Sequence, residues 1–257
     1  MPYMPGSGVM RKMMSRFGLL VLAMTTVLAA SVEAQTAAPA TSPPVLELFT
    51  SQGCSSCPAA DALFKAYATR RDLIALSMPV DYWDYLGWKD TLANPKCSKR
   101  QRAYAKSRGD GQIYTPQVIV NGRAHVNGAA KAEIEAALKA SRNQPTPTVI
   151  KAAVADGLIT IDMPAASLKV ADATVWLAVV QAEAVVEIRA GENRGRSLTY
   201  YNVVRDLVPV GMWSGTAATI RQQTASLSSN ANEIYAVMVQ SGMGGPILTA
   251  AWVEPQR

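Results

Sequence analysis

The stretch of sequence that decides the fold is Val45-Leu46-Glu47-Leu48-Phe49-Thr50-Ser51-Gln52-Gly53-Cys54-Ser55-Ser56-Cys57-Pro58. Its first six residues form an apolar run of strand length, and Ser51-Gln52-Gly53 interrupts that run. Pro58 suits the first turn of a helix, where its missing N–H would have no partner within the helix. The stretch therefore predicts a strand, a turn and a helix, with both cysteines where the helix begins.

A Cys-x-x-Cys motif at the start of a helix is typical of thiol–disulfide chemistry. Backbone N–H groups at a helix N-terminus stabilise a thiolate and lower the pKa of the cysteine. The thiolate is also the species that attacks a disulfide. We therefore predict that Cys54 is the nucleophile and Cys57 the resolving cysteine, with Pro58 stiffening the helix start. The redox-active Cys54–Cys57 disulfide would need no separate cofactor.

Strand and helix patterns alternate from this motif to Ser141, which indicates an α/β layer. Within it, Thr115-Pro116 directly precedes the apolar strand pattern 117–120. In thioredoxin-like folds a cis-proline at this place lies against the Cys-x-x-Cys motif, and the residue before it offers backbone groups to an extended substrate. We therefore predict a thioredoxin-like domain over residues 44–141, with a central mixed sheet flanked by helices, and we add Thr115 and Pro116 to its catalytic site.

The composition changes after this domain. Residues 142–148 contain two prolines and are predicted to form a linker. From residue 149 onward the pattern is almost entirely that of short strands separated by turn signals, which predicts an all-β, sandwich-like domain over residues 149–257. The predicted strands are 149–154, 158–163, 174–181, 184–189, 197–208, 216–222, 234–240 and 247–253.

The N-terminus has the layout of a secretory signal peptide over residues 1–34. A basic segment precedes an apolar run at 17–30, and small residues stand at the two positions read before cleavage after Ala34. Residues 35–43 would be a flexible lead. We expect a periplasmic or secreted protein with no stable membrane span after cleavage; the alternative is an uncleaved anchor. Without the signal peptide the formal net charge falls from +6 to +4, which gives no reason to expect a nucleic-acid partner.

Two other interpretations of the cysteine pair stay open. Cys54 and Cys57 would form a static structural disulfide if the chain is a non-catalytic binding or assembly module of the cell envelope. They would ligate a soft ion such as Cu(I) if the chain handles metal, with Cys97 as a third ligand. His125 is the only histidine, so a full Cys/His ligand set is lacking, and we assign no metal-ligating residue. Our leading hypothesis is a thiol–disulfide oxidoreductase acting on a protein or small thiol in the envelope.

Further side chains are candidates for supporting roles. Glu47 is an acid inside an apolar strand, seven residues before Cys54, and a buried acid there could shuttle a proton to Cys57. The alternative interpretation is that it points to solvent or pairs with a lysine. An aromatic loop follows the second strand and could either line a substrate groove or pack into the core. Its aromatic residues are Tyr82, Trp83, Tyr85 and Trp88.

Several blocks of the sequence resemble a family of exported bacterial proteins that has a thioredoxin-like N-terminal domain and no assigned function. The resemblance rests on residues 45–58, 80–90, 100–104, 114–117 and 191–205, and it covers nearly the whole chain after the predicted signal peptide. It implies the thioredoxin-like fold and export, and it names no substrate.

Overall fold

The computed structural model describes residues 41–227 and 233–256. The predicted signal peptide and most of the predicted lead lie outside the described residues. Among the helices that are described, none is long and apolar enough to cross a membrane. The first half of the chain contains β1 (Val45–Thr50), α1 (Cys57–Ala68), β2 (Ile74–Pro79), α2 (Pro95–Arg108), β3 (Gln117–Val120), β4 (Ala124–Asn127) and α3 (Lys131–Arg142).

The second half consists of strands with short connections, as its pattern predicts. They are β5 (Lys151–Ala155), β6 (Leu158–Met163), β7 (Ala173–Glu187), β8 (Ser197–Trp213), β9 (Ala218–Gln223), β10 (Glu233–Ser241), β11 (Ile247–Trp252) and β12 (Glu254–Pro255). The strands predicted at 174–181 and 184–189 are one strand, β7. Its chain makes no turn between them, because Gln181 and Glu183 stay in register with β8.

A mixed sheet of eight strands joins the two halves of the chain. Its strand order is β11-β10-β7-β8-β2-β1-β3-β4. β1 runs parallel to β2 and antiparallel to β3, and the junction between the halves is the parallel pairing of β2 with β8. The predicted linker, residues 142–148, follows α3 and precedes a second, four-stranded sheet of order β12-β5-β6-β9. The fold is thus mixed α/β, with few helices and many strands, and its main sheet is shared by both halves.

Both faces of the eight-stranded sheet are covered, and alternate side chains of each strand enter different cores. On one face, α2 packs over a core that contains Phe49 of β1, Leu76 of β2 and Ala178 of β7. On the other face, α1 and α3 cover the β1–β3 region through Leu46 and Leu48. The four-stranded sheet covers the β7–β10 region on that same side through a separate core. This two-sided burial explains why every residue of β1 is buried.

Candidate functional site

Cys54 and Cys57 form a disulfide at the start of α1, with 5.4 Å between their Cα atoms. Cys57 is the first residue of the helix, and its N–H donates to the carbonyl oxygen of Cys54 at 3.2 Å. Cys57 is fully buried, whereas Cys54 keeps 3% of its surface exposed. The intervening Ser55 and Ser56 are exposed. The disulfide therefore lies just beneath an exposed loop, with Cys54 the less buried of its two residues.

The predicted prolines lie at the same end of the sheet. Pro58 occupies the first turn of α1, and the Thr115–Pro116 peptide bond is cis. A Cβ atom placed on Gly128 would come within 3.0 Å of Cβ of Pro116 and 3.2 Å of Cβ of Ala60. Only a glycine therefore fits between Pro116 and the first turn of α1.

Trp83 joins the disulfide loop to Thr115. Its Nε1 donates to Oγ1 of Thr115 at 2.8 Å, and its Cβ would lie 3.1 Å from a Cβ placed on Gly53. The Trp83 ring stacks on Tyr85, with 6.4 Å between the ring centroids and 18° between the planes. Because Tyr85 is 76% exposed, this aromatic pair forms a surface beside the disulfide loop.

The other two aromatic residues of the loop donate hydrogen bonds to buried glutamine side chains. The hydroxyl of Tyr82 donates to Oε1 of Gln101 at 3.1 Å, its ring packs against the α2-side core, and burial raises its pKa to about 12. Nε1 of Trp88 donates to Oε1 of Gln52 at 2.7 Å. Of the four predicted groove residues, Tyr85 is exposed, whereas Tyr82, Trp83 and Trp88 are half-buried.

Asn193 of the second half also holds the disulfide loop. Its buried Nδ2 donates to the carbonyl oxygens of Gln52 at 2.9 Å and of Cys54 at 2.8 Å. Within the part of the chain that the structure describes, its buried Oδ1 has no hydrogen-bond partner. Asn193 lies within the sequence block 191–205, but no motif there predicts this role. The only local signal is its position in a turn between Gly191 and Gly195, both of which have a positive φ.

Glu47 is fully buried but lies on the α2 face of β1, whereas α1 lies on the opposite face. Its carboxylate accepts from Nε of Arg100 at 2.5 Å and from the hydroxyl of Tyr104 at 2.5 Å. Arg100 itself is 4% exposed and also donates to Oε1 of Gln240 at 2.8 Å. The structure therefore places Glu47 in a buried ion pair on the opposite sheet face from the disulfide.

Asp61 is the buried acid on the side of Cys57, and no sequence pattern singles it out. It follows Cys57 by four residues in α1, which places both on one face of the helix. Oδ1 accepts from Oγ1 of Thr50 at 2.8 Å, and Oδ2 has no hydrogen-bond partner among residues 41–227 and 233–256. Burial raises the pKa of Asp61 to about 8, the Thr50 hydrogen bond opposes this rise, and the negative charge of Asp90 adds to it.

Two further buried groups lie near Asp61. Asp90 accepts from the N–H groups of Gln52 and Leu92, each at 2.8 Å, and burial raises its pKa in spite of these bonds. Burial raises the pKa of Tyr200 well above its ordinary value, and the charges of Asp61 and Asp90 raise it further. The region behind the disulfide is therefore poor in water and favours protonated acids.

The proposed third metal ligand is not near the cysteine pair. Cys97 is buried in the α2-side core, on the sheet face opposite to α1. In the described ranges, no group of three or more His, Cys, Asp or Glu side chains is arranged to hold a metal ion. Burial raises the pKa of the Cys97 thiol far above its ordinary value, so this thiol stays protonated at neutral pH.

A family model described as "Protein of unknown function (DUF1223)" matches residues 45–240. The chain belongs to this family. The match confirms the resemblance to a family of unassigned function. The chain is also similar to a crystal structure of a structural-genomics target from Agrobacterium tumefaciens, with 33% sequence identity and a TM-score of 0.73. That alignment covers 84% of this chain and 96% of the other.

A second solved structure, HBP35 of Porphyromonas gingivalis, aligns with a TM-score of 0.58 at 12% identity. The alignment covers 84% of this chain and 77% of that one. At this identity the similarity shows a shared fold only. A comparison with curated proteins finds no significant match.

Proposed function

We propose that this family member is an exported, periplasmic or secreted thiol–disulfide oxidoreductase whose working group is the Cys54–Cys57 pair. The observation that carries the proposal is a disulfide at the first turn of a helix, with Cys54 the less buried of its two residues. We further propose that residues 44–141 are a thioredoxin-like unit. The parallel β1–β2 pair, the antiparallel β3–β4 pair and the packing of Pro116 near α1 support this assignment.

In the oxidised form, the reaction begins when a substrate thiolate attacks Sγ of Cys54. An S–S bond to the substrate forms, the Cys54–Cys57 bond breaks, and Cys57 leaves as a thiolate that takes up a proton. A second substrate thiolate then attacks the substrate sulfur of the mixed disulfide and releases Cys54. Two electrons and two protons pass from the substrate dithiol to the cysteine pair, and the substrate becomes a disulfide. The reverse sequence reduces a substrate disulfide.

Asp61 is suited to supply the proton that Cys57 needs. It lies one helical turn after Cys57 on the same face of α1, and with a pKa of about 8 it carries a proton at neutral pH. A group whose pKa lies near the working pH can both donate and recover a proton. The proton that Asp61 loses is recovered from the medium, which receives it from the substrate thiols.

The aromatic surface gives the substrate a place to bind. Trp83 and Tyr85 stack beside the disulfide loop, and Thr115 lies next to Trp83, from which it accepts a hydrogen bond. An extended segment of a substrate protein can contact the exposed ring of Tyr85 while its cysteine approaches Cys54. Aromatic rings provide contact area with little loss of conformational entropy.

The second candidate function is a binding or assembly module with a structural disulfide. The observation that favours it is the enclosure of the motif, because Cys57 is fully buried and Asn193 fixes the loop from the other half of the chain. The two functions predict different reduction potentials for the same pair.

The test is to equilibrate the protein with glutathione buffers of defined potential and to count its thiols at each potential. A potential between roughly −270 and −120 mV, the range of known catalysts, supports the oxidoreductase. A potential below about −300 mV identifies a structural disulfide and supports the binding module. Cys54→Ser should abolish the transition. Cys97→Ala is the matched control and should leave the potential unchanged, because Cys97 lies in a separate core.

A further inference from the structure

An apolar cleft of about 440 Å³ lies between α2 and the strands β7 and β8. Its volume is within the range of small-molecule sites, roughly 300–1,000 Å³. Trp176 and Leu207 are largely buried within it, whereas Met212 and Met243 are 62% and 54% exposed. Methionine side chains are flexible and adapt to apolar ligands of different shapes. None of the described residues that line the cleft belongs to the disulfide site, so it is a separate feature of the molecule.

The charged residues that line the cleft, among those the structure describes, are all cationic. Lys96, Lys99 and Arg100 line it from α2, and none of its described lining residues is acidic. Arg100 is already paired with Glu47, and Nζ of Lys96 lies 2.5 Å from Oδ1 of Asp206. Lys99 is exposed and takes part in no ion pair formed by the described residues. One uncompensated positive charge therefore lies beside an apolar cavity.

The cleft offers few hydrogen-bond partners to a polar ligand. Among the described lining residues, the neutral side-chain groups able to form hydrogen bonds are Oγ1 of Thr174, which lies 3.5 Å from Sδ of Met212, and Nε1 of Trp176, which has no partner. A peptide placed here would bury amide groups without partners, which is costly. A hydrocarbon chain has no such groups, and its transfer from water into the cleft is favourable.

We propose that this cleft binds a fatty acid, with its single aliphatic chain between α2 and the β7–β8 strands and its carboxylate at Lys99. The chain contacts Trp176, Leu207 and Met212, and the carboxylate neutralises Lys99, the one of the three cations lining the cleft that has no acidic partner among the described residues. The proposal is independent of the disulfide chemistry.

The experiment measures the displacement of a fluorescent fatty acid, dansylaminoundecanoic acid, from the purified chain. Dodecanoate, used below its micelle concentration, should displace the probe. Decanoate should bind more weakly by about fifteenfold, since it lacks two methylenes and each buried methylene contributes roughly fourfold to affinity. Dodecanol and dodecylammonium, which have the same chain without the negative charge, should be weaker than dodecanoate by about twofold to fivefold.

Two charge reversals on α2 provide the matched comparison. Lys99→Glu should weaken dodecanoate binding by about fivefold or more, because it replaces the attracting charge with a repelling one. Lys106→Glu makes the same change at an exposed residue of the same helix that does not line the cleft, and it should have little effect. Thermal unfolding of both variants checks that each is folded. Failure of dodecanoate to displace the probe, equal binding of dodecanol, or equal effects of the two substitutions would each overturn the proposal.

Discussion

Replacing Asp61 with asparagine should remove a large pH dependence from the stability of the folded protein. Asp61 is 3% exposed, and burial raises its folded pKa from 3.8 to about 8. A raised carboxyl pKa means that the folded state holds the proton more tightly than the unfolded chain does. Its stabilising contribution is therefore complete below a pH of about 3.8 and is lost as the pH rises towards 8.

The size of the effect follows from the two pKa values. Integrating the proton linkage for one group with an unfolded pKa of 3.8 and a folded pKa of about 8 gives a loss of about 3–4 kcal/mol between pH 5 and pH 8. The amide introduced by Asp61→Asn does not titrate, and its side-chain oxygen can still accept from the Thr50 hydroxyl. As the pH rises from 5 to 8, the unfolding free energy of the wild type should therefore fall by about 3–4 kcal/mol relative to that of the Asp61→Asn variant.

Urea unfolding of the oxidised protein, followed by tryptophan fluorescence at pH 5, 6, 7 and 8, measures this difference. Asp72→Asn is the control, because Asp72 is on the surface and its ion pairs with Arg70 and Arg142 hold its pKa well below its ordinary value, outside the measured pH range. Its difference from wild type should stay constant across the range. If the Asp61→Asn difference were also constant with pH, Asp61 would already be ionised at neutral pH. It could then not act as the proton donor for Cys57.

Two further predictions concern the buried polar contacts. Asn193→Ala should destabilise the protein by about 2–4 kcal/mol in urea unfolding, because the carbonyl groups of Gln52 and Cys54 lose a buried donor; a change below about 0.5 kcal/mol would show that water replaces the amide. Glu47→Gln should cost about 3–5 kcal/mol at neutral pH, since it leaves the buried Arg100 guanidinium without its counter-charge. Wild-type stability of that variant would show that Arg100 finds another anion.

Many elements of the fold could be predicted from the sequence because their signals are local. The apolar run of β1, the break at Gly53 and the proline in the first turn of α1 are neighbours in the chain, so the Cys54–Cys57 motif and its helix follow from residue order alone. The Asn121-Gly122 turn joins β3 to β4, and both residues have a positive φ, which this tight turn requires.

The expected division of the chain into an α/β domain and a separate all-β domain did not anticipate the eight-stranded sheet that joins them. Apolar strand patterns predict strands, but any buried strand can pair with several others of similar pattern. The pairing of β2 with β8 depends on how α2 covers both halves on one face of the sheet. No local sequence signal encodes that packing.

The sequence by itself determined which residues carry the sulfur chemistry and that they lie where a helix begins. Only the tertiary structure decided which buried groups surround them. Glu47 and Asp61 are both acids in apolar surroundings, yet one faces Arg100 and the other the disulfide side of the sheet. Asn193 reaches the motif from 139 residues away. Helix and strand signals depend on neighbouring residues, whereas the burial and pKa of a side chain depend on every segment that packs against it.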